Sequence, residues 1–284
     1  FTNPIFLNVN FGAPHIPNEA PEDAVLKFSH IENETRRLHA AMIYEMDNAI
    51  GEIISALDDK NALNDTLIIF ASDNGGLTPD VKLNPSFLAI PKMIGMCKYD
   101  YRTGLTGLFL TMTLGSSKIT SWICENYTGG SSNKPLPEGK MSVSEGGIRV
   151  PAAIWWPGKF EYSKSENFIS MMDVLPTILD LIEYENKLDV DGKSRVSLLN
   201  GNDNNESSKY VVTNIINDKY AVIEMPYKLI TSADGDQLYN ILDDPTEELN
   251  IASENQEIVY ELKNTLSQWQ FGENRSLPIL EVFK

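Results

Sequence analysis

The sequence is short of positive charge: 23 lysines and arginines stand against 40 aspartates and glutamates, a formal charge of −17 over 284 residues. Nucleic-acid phosphates are bound by basic surfaces, so a nucleic-acid partner is excluded. Any anionic ligand would have to be held by a local exception, such as a metal ion or a placed lysine. No apolar run approaches the roughly 18 to 20 residues that span a bilayer. The most apolar stretch, 104–115, is shorter and carries threonines. Cysteine is nearly absent: Cys97 and Cys124 allow one bridge at most and, so spaced, no zinc site. There is no initiating methionine and no signal peptide. The opening Phe1-Thr2-Asn3-Pro4 suggests a processed or incomplete chain, so the missing leader says little about compartment.

What is present is ordinary globular composition, 42% hydrophobic and 22% charged, enough for a large α/β domain, or a truncated one with a smaller partner. Residues 5–10 (Ile-Phe-Leu-Asn-Val-Asn) read as a buried strand ended by Gly12, Pro14 and Pro17. Over 31–57 the residues Leu38, Met42, Met46, Ile50, Ile53 and Leu57 recur at helical spacing, which predicts a long amphipathic helix with the methionines in its core stripe. The run 66–71 is apolar throughout, as expected of a strand covered on both faces by helices. Helix then buried strand predicts a mostly parallel α/β sheet, with ligands at the carboxyl ends of its strands. Asp73 and Asn74 stand there. A second buried strand is predicted at 150–156 and a helix over 171–182, with Pro176 kinking it or marking its first turn. Beyond an Asn-rich connector at 199–209, short strands at 210–216, 220–225 and 227–231, with a further one at 238–242, predict a small antiparallel sheet. The segment 258–269 predicts a closing amphipathic helix. Two domains are expected, 1–198 and 199–284.

The stretch 81–127 shows no sustained period and separates Asn74-Gly75-Gly76 from Thr128-Gly129-Gly130, pieces that would join smoothly without it. Loops this long without internal structure are rare in compact domains. Two readings stand: an insertion with its own helix, or a translated intron. Five N-x-S/T sequons, at Asn33, Asn64, Asn126, Asn205 and Asn274, lean towards a secretory-pathway protein.

Asp73 and Asn74 offer hard oxygen donors, which suit Ca²⁺ or Mg²⁺ and not softer metals. Read alone, Asp73-Asn74-Gly75-Gly76 is equally a strand-ending turn. Several segments in order, however, resemble the sulfatases of arylsulfatase B type. Gly12-Ala13-Pro14-His15-Ile16-Pro17 resembles their substrate-side loop. Residues 40–51 resemble the helix before their metal strand, and Phe70-Ala71-Ser72-Asp73-Asn74-Gly75-Gly76 their metal motif. Residues 139–151, Gly139-Lys140 through Glu145-Gly146-Gly147-Ile148-Arg149-Val150-Pro151, resemble the loop that brings a lysine to the sulfate. Residues 173–177 and 238–245 complete the series, and the likeness covers nearly the whole chain apart from 81–127.

The resemblance implies an alkaline-phosphatase-like sulfatase fold, here an incomplete mostly parallel sheet with a smaller C-terminal antiparallel sheet and helix. It implies hydrolysis of sulfate esters of sugars or aryl alcohols, Ca²⁺ (or Mg²⁺) held by Asp73 and Asn74, and Lys140 and His15 contacting sulfate and assisting release of the alcohol. A lysosomal or secreted location follows from the same likeness. Glu145 and Arg149 are expected to order the glycine loop, while His30 and His39 are expected at the surface or in packing, and Asp243-Asp244 in a turn. Three departures stand out. No C/S-x-P-x-R motif, the source of the family's formylglycine nucleophile, follows Cys97 or Cys124, and the family's paired metal aspartates and its lysine-and-histidine loop are absent. Pro137-Glu138 also replaces the Arg-Gly common in relatives. The chain alone is therefore expected to be inactive. Two rivals remain: a non-catalytic member that binds sulfated glycans or a partner protein, and a phosphoester or phosphonate hydrolase of the wider superfamily, which needs more histidine ligands than the three histidines here allow.

Overall fold

The computed structural model describes residues 3–79, 129–162, 164–165, 167–185, 189–202, 209–214 and 219–271. Cys97, Cys124 and the sequons at Asn126, Asn205 and Asn274 lie outside the described residues, as does the whole 81–127 stretch. The chain divides into two compact units, Phe1–Ile154 and Trp155–Lys284.

In the first unit a short helix α1 (Glu22–Lys27) packs on the long helix α2 (Glu34–Asp59). The predicted helix over 31–57 is therefore present. It starts where Asn33 caps it, the Asn33 side-chain oxygen accepting the Arg36 amide at 2.9 Å, and Glu34 in the first turn complements the helix dipole. Ala41 and Met42 are buried on its packed face. A 3₁₀ turn (Leu63–Asp65) leads to β1 (Ile68–Ala71), which pairs with β2 (Ala152–Trp155). Beyond their ends the Ser72 amide donates to the Pro151 carbonyl at 3.2 Å. A four-residue helical turn α3 (Glu145–Ile148) precedes β2.

Two expectations fail here, and one element was not foreseen. Residues 5–10 form no strand, and Ile5, Phe6 and Leu7 are 63%, 83% and 70% exposed. An apolar run predicts a preference for burial, but a strand also needs a neighbour for its amides and carbonyls, and no described strand pairs with this segment. β1 and β2 are not sandwiched between helices among the described residues, since Phe70 and Trp155 stay exposed. Helix α1 was not foreseen, being too short for an amphipathic period to register.

In the second unit a 3₁₀ turn (Met171–Asp173) runs into α4 (Val174–Leu181). Pro176 falls in the first turn of α4, where its missing N–H costs no helical bond. A short α5 (Val196–Leu199) follows. Then β3 (Lys209–Asn214), β4 (Lys219–Glu224), β5 (Tyr227–Ser232) and β6 (Gly235–Asn240) form one antiparallel sheet in sequential order, as the turn-punctuated pattern predicts. The register places Val211, Val222, Leu229 and Leu238 in one row across the four strands. The apolar face of α6 (Gln256–Phe271), with Val259, Leu262 and Leu266, packs against this row to form the core. The adjacent row, Tyr210, Ile223, Lys228 and Tyr239, points to the other face and is also buried. There the buried Lys228 ammonium lies 2.7 Å from the Glu247 carboxylate.

The same unit holds a second polar hub. Asp173, fully buried, accepts the Ser170 and Lys193 amides at 3.1 and 2.9 Å, the Arg195 guanidinium at 2.9 Å and the Tyr210 hydroxyl at 2.8 Å. Burial alone would raise its pKa, but the bonds from Lys193, Ser170, Arg195 and Tyr210 outweigh it and hold the carboxyl below its ordinary value. Phe168 stacks on Tyr210 with ring centroids 5.1 Å apart. The 173–177 segment is thus a structural joint between α4 and the sheet.

Candidate functional site

Past the end of β1, the chain enters Asp73-Asn74-Gly75-Gly76 with Asp73 exposed and Asn74 half-buried. The Ser72 hydroxyl donates to the Asn74 carbonyl at 2.9 Å, and the Asn74 side-chain N–H donates to the Gly75 carbonyl at 2.8 Å. With that nitrogen committed, Oδ1 is the atom of Asn74 available to a cation. Carboxylate and amide oxygens on consecutive residues are the donor chemistry of a hard divalent ion. They are two of the six to eight oxygens Ca²⁺ takes, and no group of three or more His, Cys, Asp or Glu side chains gathers among the described residues. The pair fits such an ion as part of a ligand set.

The glycines explain how the Lys140 loop reaches this motif. The Gly75 amide donates to the Gly147 carbonyl at 2.8 Å, and a Cβ on Gly75 would stand 1.7 Å from the Gly146 carbonyl oxygen. The Lys140 amide donates to the Gly76 carbonyl at 3.1 Å. Backbone therefore crosses backbone at distances only glycine permits, and the metal-type motif and the Lys140 loop become immediate neighbours. The Lys140 side chain is half-buried and its ammonium makes no ion pair with a described residue.

Residues 129–131 complete the crossing. The Ser131 amide donates to the Leu77 carbonyl at 3.2 Å, so the two glycine-rich pieces flanking the long intervening stretch lie side by side. Helix α2 buttresses them, with the Arg36 guanidinium donating to the Gly130 carbonyl at 3.0 Å and a Cβ on Gly130 meeting the His39 Cβ at 2.6 Å. His39 is a packing residue, 7% exposed. Burial, aided by the positive charge of Arg36, lowers its pKa to about 4 and keeps the ring neutral. Glu145, also buried, pairs with Arg149 at 3.6 Å across one turn of α3, which fits the ordering role expected of both.

Asn133 was not legible in the sequence. Its side-chain oxygen accepts the Gly76 amide at 2.9 Å, while its nitrogen donates to the Gly76 carbonyl at 2.9 Å and to the Glu138 carbonyl at 3.0 Å. The one available signal was an asparagine set among paired glycines. Glu138, where relatives commonly carry glycine, has φ of +56°, the left-handed conformation glycine favours. Its carboxylate accepts the Ser144 hydroxyl at 2.9 Å. The departure in sequence is thus accommodated by keeping the glycine-like backbone and anchoring the new side chain.

His15 stands apart from this group. It is exposed on the turn after Gly12, and its Nδ1 donates to the Ile16 carbonyl at 2.7 Å. A carbonyl only accepts, so Nδ1 carries the proton in the neutral ring and Nε2 keeps a lone pair. No described hydrogen bond joins it to Asp73, Asn74 or Lys140.

Comparison with known proteins bears on the family of the chain and on its fold. The family model described as Sulfatase matches residues 2–184, and that described as N-sulphoglucosamine sulphohydrolase, C-terminal, matches residues 139–271. An N-acetylgalactosamine-6-O-sulfatase of Bacteroides thetaiotaomicron is 25% identical over 243 residues, 79% of this chain and 40% of that protein. Arylsulfatase K of Gallus gallus is 26% identical over 251 residues, 82% of this chain and 37% of that protein. The crystal structure of Ps i-CgsB superposes with a TM-score of 0.67 at 23% identity, covering 92% of this chain and 49% of that one, which shows the alkaline-phosphatase-like α/β fold. The chain spans about two fifths of these curated relatives and half of the solved structure. The likeness holds for the family and not for the arylsulfatase B type in particular. With its first 184 residues, all but the opening phenylalanine, matched and its glycine-locked motifs in the expected order, the chain belongs to the sulfatase family.

Proposed function

We propose that this chain forms the later part of a sulfuric-ester hydrolase acting on sulfated sugars or aryl sulfates. The observation that carries the reading is the hydrogen bond from the Lys140 amide to the Gly76 carbonyl. It joins the backbone of the lysine's loop to the segment that carries two hard oxygen donors, and a sulfate group requires a lysine and such donors together. Ca²⁺ at Asp73 and Asn74, with Mg²⁺ an alternative for the same donors, would supply neutralisation of the sulfate oxygens. Lys140 would add a point charge on the sulfate and the leaving oxygen. His15 would serve as the acid that protonates the departing alkoxide. The nucleophile, a formylglycine by family likeness, is no residue of this chain. One solved structure of similar fold, of 0.66 TM-score, is a complex with a neocarrahexaose, which supports a carbohydrate as the part of the substrate that carries the sulfate.

A location in the secretory pathway, lysosomal or secreted, is part of the same proposal. No helix among the described residues is long and apolar enough to cross a membrane. Asn33 and Asn64 are exposed, and Asn33 caps α2 through its oxygen, leaving the nitrogen free to carry a glycan. The division at 1–198 and 199–284 is retained as a proposal for the functional boundary.

The test is sulfate release by the complete gene product from 4-nitrophenyl sulfate and from 4-O- and 6-O-sulfated N-acetylhexosamines. Turnover that Asp73→Ala and Lys140→Met each abolish would sustain the proposal. A product that binds these sulfated sugars yet releases no sulfate would favour the non-catalytic binder instead.

A further inference from the structure

Asn133 occupies a position that the resemblance does not account for. Its amide uses three hydrogen-bonding sites at once: the oxygen on the Gly76 amide, one N–H on the Gly76 carbonyl, the other on the Glu138 carbonyl. Both backbone polar groups of Gly76 are thereby closed by one side chain, and the Lys140 amide adds a second donor to the same carbonyl. The loop on the far side of this clamp is strained. Glu138 and Met141, two residues either side of the Gly139-Lys140 step, have φ of +56° and +71°. Conformations of that kind persist only where surroundings over-determine them, at about 1–3 kcal/mol each. Gly139 must also stay small, because a Cβ there would come within 2.4 Å of the Asn133 nitrogen.

No other side chain meets these demands. Aspartate has the shape but no donors and would set charge against two carbonyls. Serine has one donor and a shorter reach, and glutamine is a methylene too long. We propose that Asn133 is a positioning residue that sets the register between the Asp73–Asn74 oxygens and Lys140. The inference rests on the functional reading of those three residues. It does not need Asn133 to touch either ligand: by holding Gly76 to the Glu138 carbonyl, it fixes how far Lys140 stands from the metal pair.

The experiment uses the complete gene product, with the variants Asn133→Asp and the milder Asn133→Ser. Hydrogen exchange at the Gly76 and Lys140 amides is followed against amides of β4 and β5. Losing these bonds should speed exchange at the two amides by about tenfold, the equivalent of one to two hydrogen bonds, while β4 and β5 stay unchanged. In parallel, Ca²⁺ affinity is measured, and then the affinity of the Ca²⁺-loaded chain for inorganic sulfate. The expected split is sulfate affinity reduced about tenfold with Ca²⁺ affinity held within about threefold, because a loosened lysine loses its aim while the metal oxygens remain. Equal loss of both affinities, or unchanged exchange at Lys140, would overturn the proposal. A complete wild-type product that binds no Ca²⁺ would instead sink the functional reading, and exchange at Lys140 would still decide for or against the clamp.

Discussion

Lys228 on β5 and Glu247 on the turn after β6 form an ion pair at 2.7 Å with the lysine fully buried and the glutamate 4% exposed. Glu247 reaches it from a left-handed backbone, φ +53°. Removing one partner takes the ion pair away from a charge held in a low-dielectric interior, which costs about 3–5 kcal/mol. Lys228→Met and Glu247→Gln should each lower the urea midpoint by that order. The double variant Lys228→Met/Glu247→Leu should recover much of the loss, since a well-packed apolar pair is often neutral relative to a buried ion pair. Denaturation of the four proteins as a double-mutant cycle checks this, and additive losses would contradict it.

The glycines make a sharper prediction because they divide into two kinds. Gly51 lies inside α2 with open space where a Cβ would go, and Gly75 would put that carbon 1.7 Å from a backbone oxygen. Gly51→Ala should stabilise by up to about 1 kcal/mol, through helix propensity alone. Gly75→Ala should destabilise and lower Ca²⁺ affinity, because relief of the clash must move backbone and not a flexible side-chain end. Melting temperatures and Ca²⁺ titration of the two variants should therefore move in opposite senses.

That contrast also explains what the sequence can and cannot reveal. Helix α2 was legible because its information is local: a 3.6-residue apolar stripe within one segment. The sheet β3–β6 was legible for the same reason, through alternation and turns. The failures are all questions about partners. Residues 5–10 carry the apolar character of a strand, but character does not say what pairs with it. Asn133 meets Gly76 across 57 positions, and no pattern within either segment encodes the meeting. Asp73 and Asn74 were singled out by their place at a strand end and Lys140 by the likeness of its segment to a family's; the backbone contact of the two segments, through Gly76, had to come from the structure.

His39 predicts a pH dependence with a definite sign. Its pKa in the fold is lowered to about 4 from 6.5, so the unfolded chain takes up the proton first as pH falls. The stability it contributes is fully present above about pH 6.5, declines between there and about 4, and is constant below, with a total on the order of 2 kcal/mol. His39→Gln should flatten that part of the stability–pH curve, at some cost at neutral pH because His39 packs on Gly130. Urea midpoints at pH 7.5, 6, 5 and 4 for both proteins provide the check, and parallel curves would contradict the assignment.

Asp173 predicts a loss at more acidic pH and a test of what its network does. Its carboxyl is held below the ordinary value, so its contribution is complete above about pH 4 and is lost as pH falls through the lowered pKa. The acid limb of unfolding should therefore separate the two groups, with the His39 step ending where the Asp173 step begins. Asp173→Asn keeps the shape but replaces one oxygen by a donor facing the Arg195 guanidinium and the Tyr210 hydroxyl. A buried guanidinium without its carboxylate should cost about 3–5 kcal/mol. The loss should fall on the joint between α4 and β3, so near-ultraviolet circular dichroism from Tyr210 should change. Ca²⁺ affinity at Asp73 should not, because the hub and the glycine crossing belong to different compact units. A variant that lost Ca²⁺ affinity in step with its stability would show that the two centres are coupled after all.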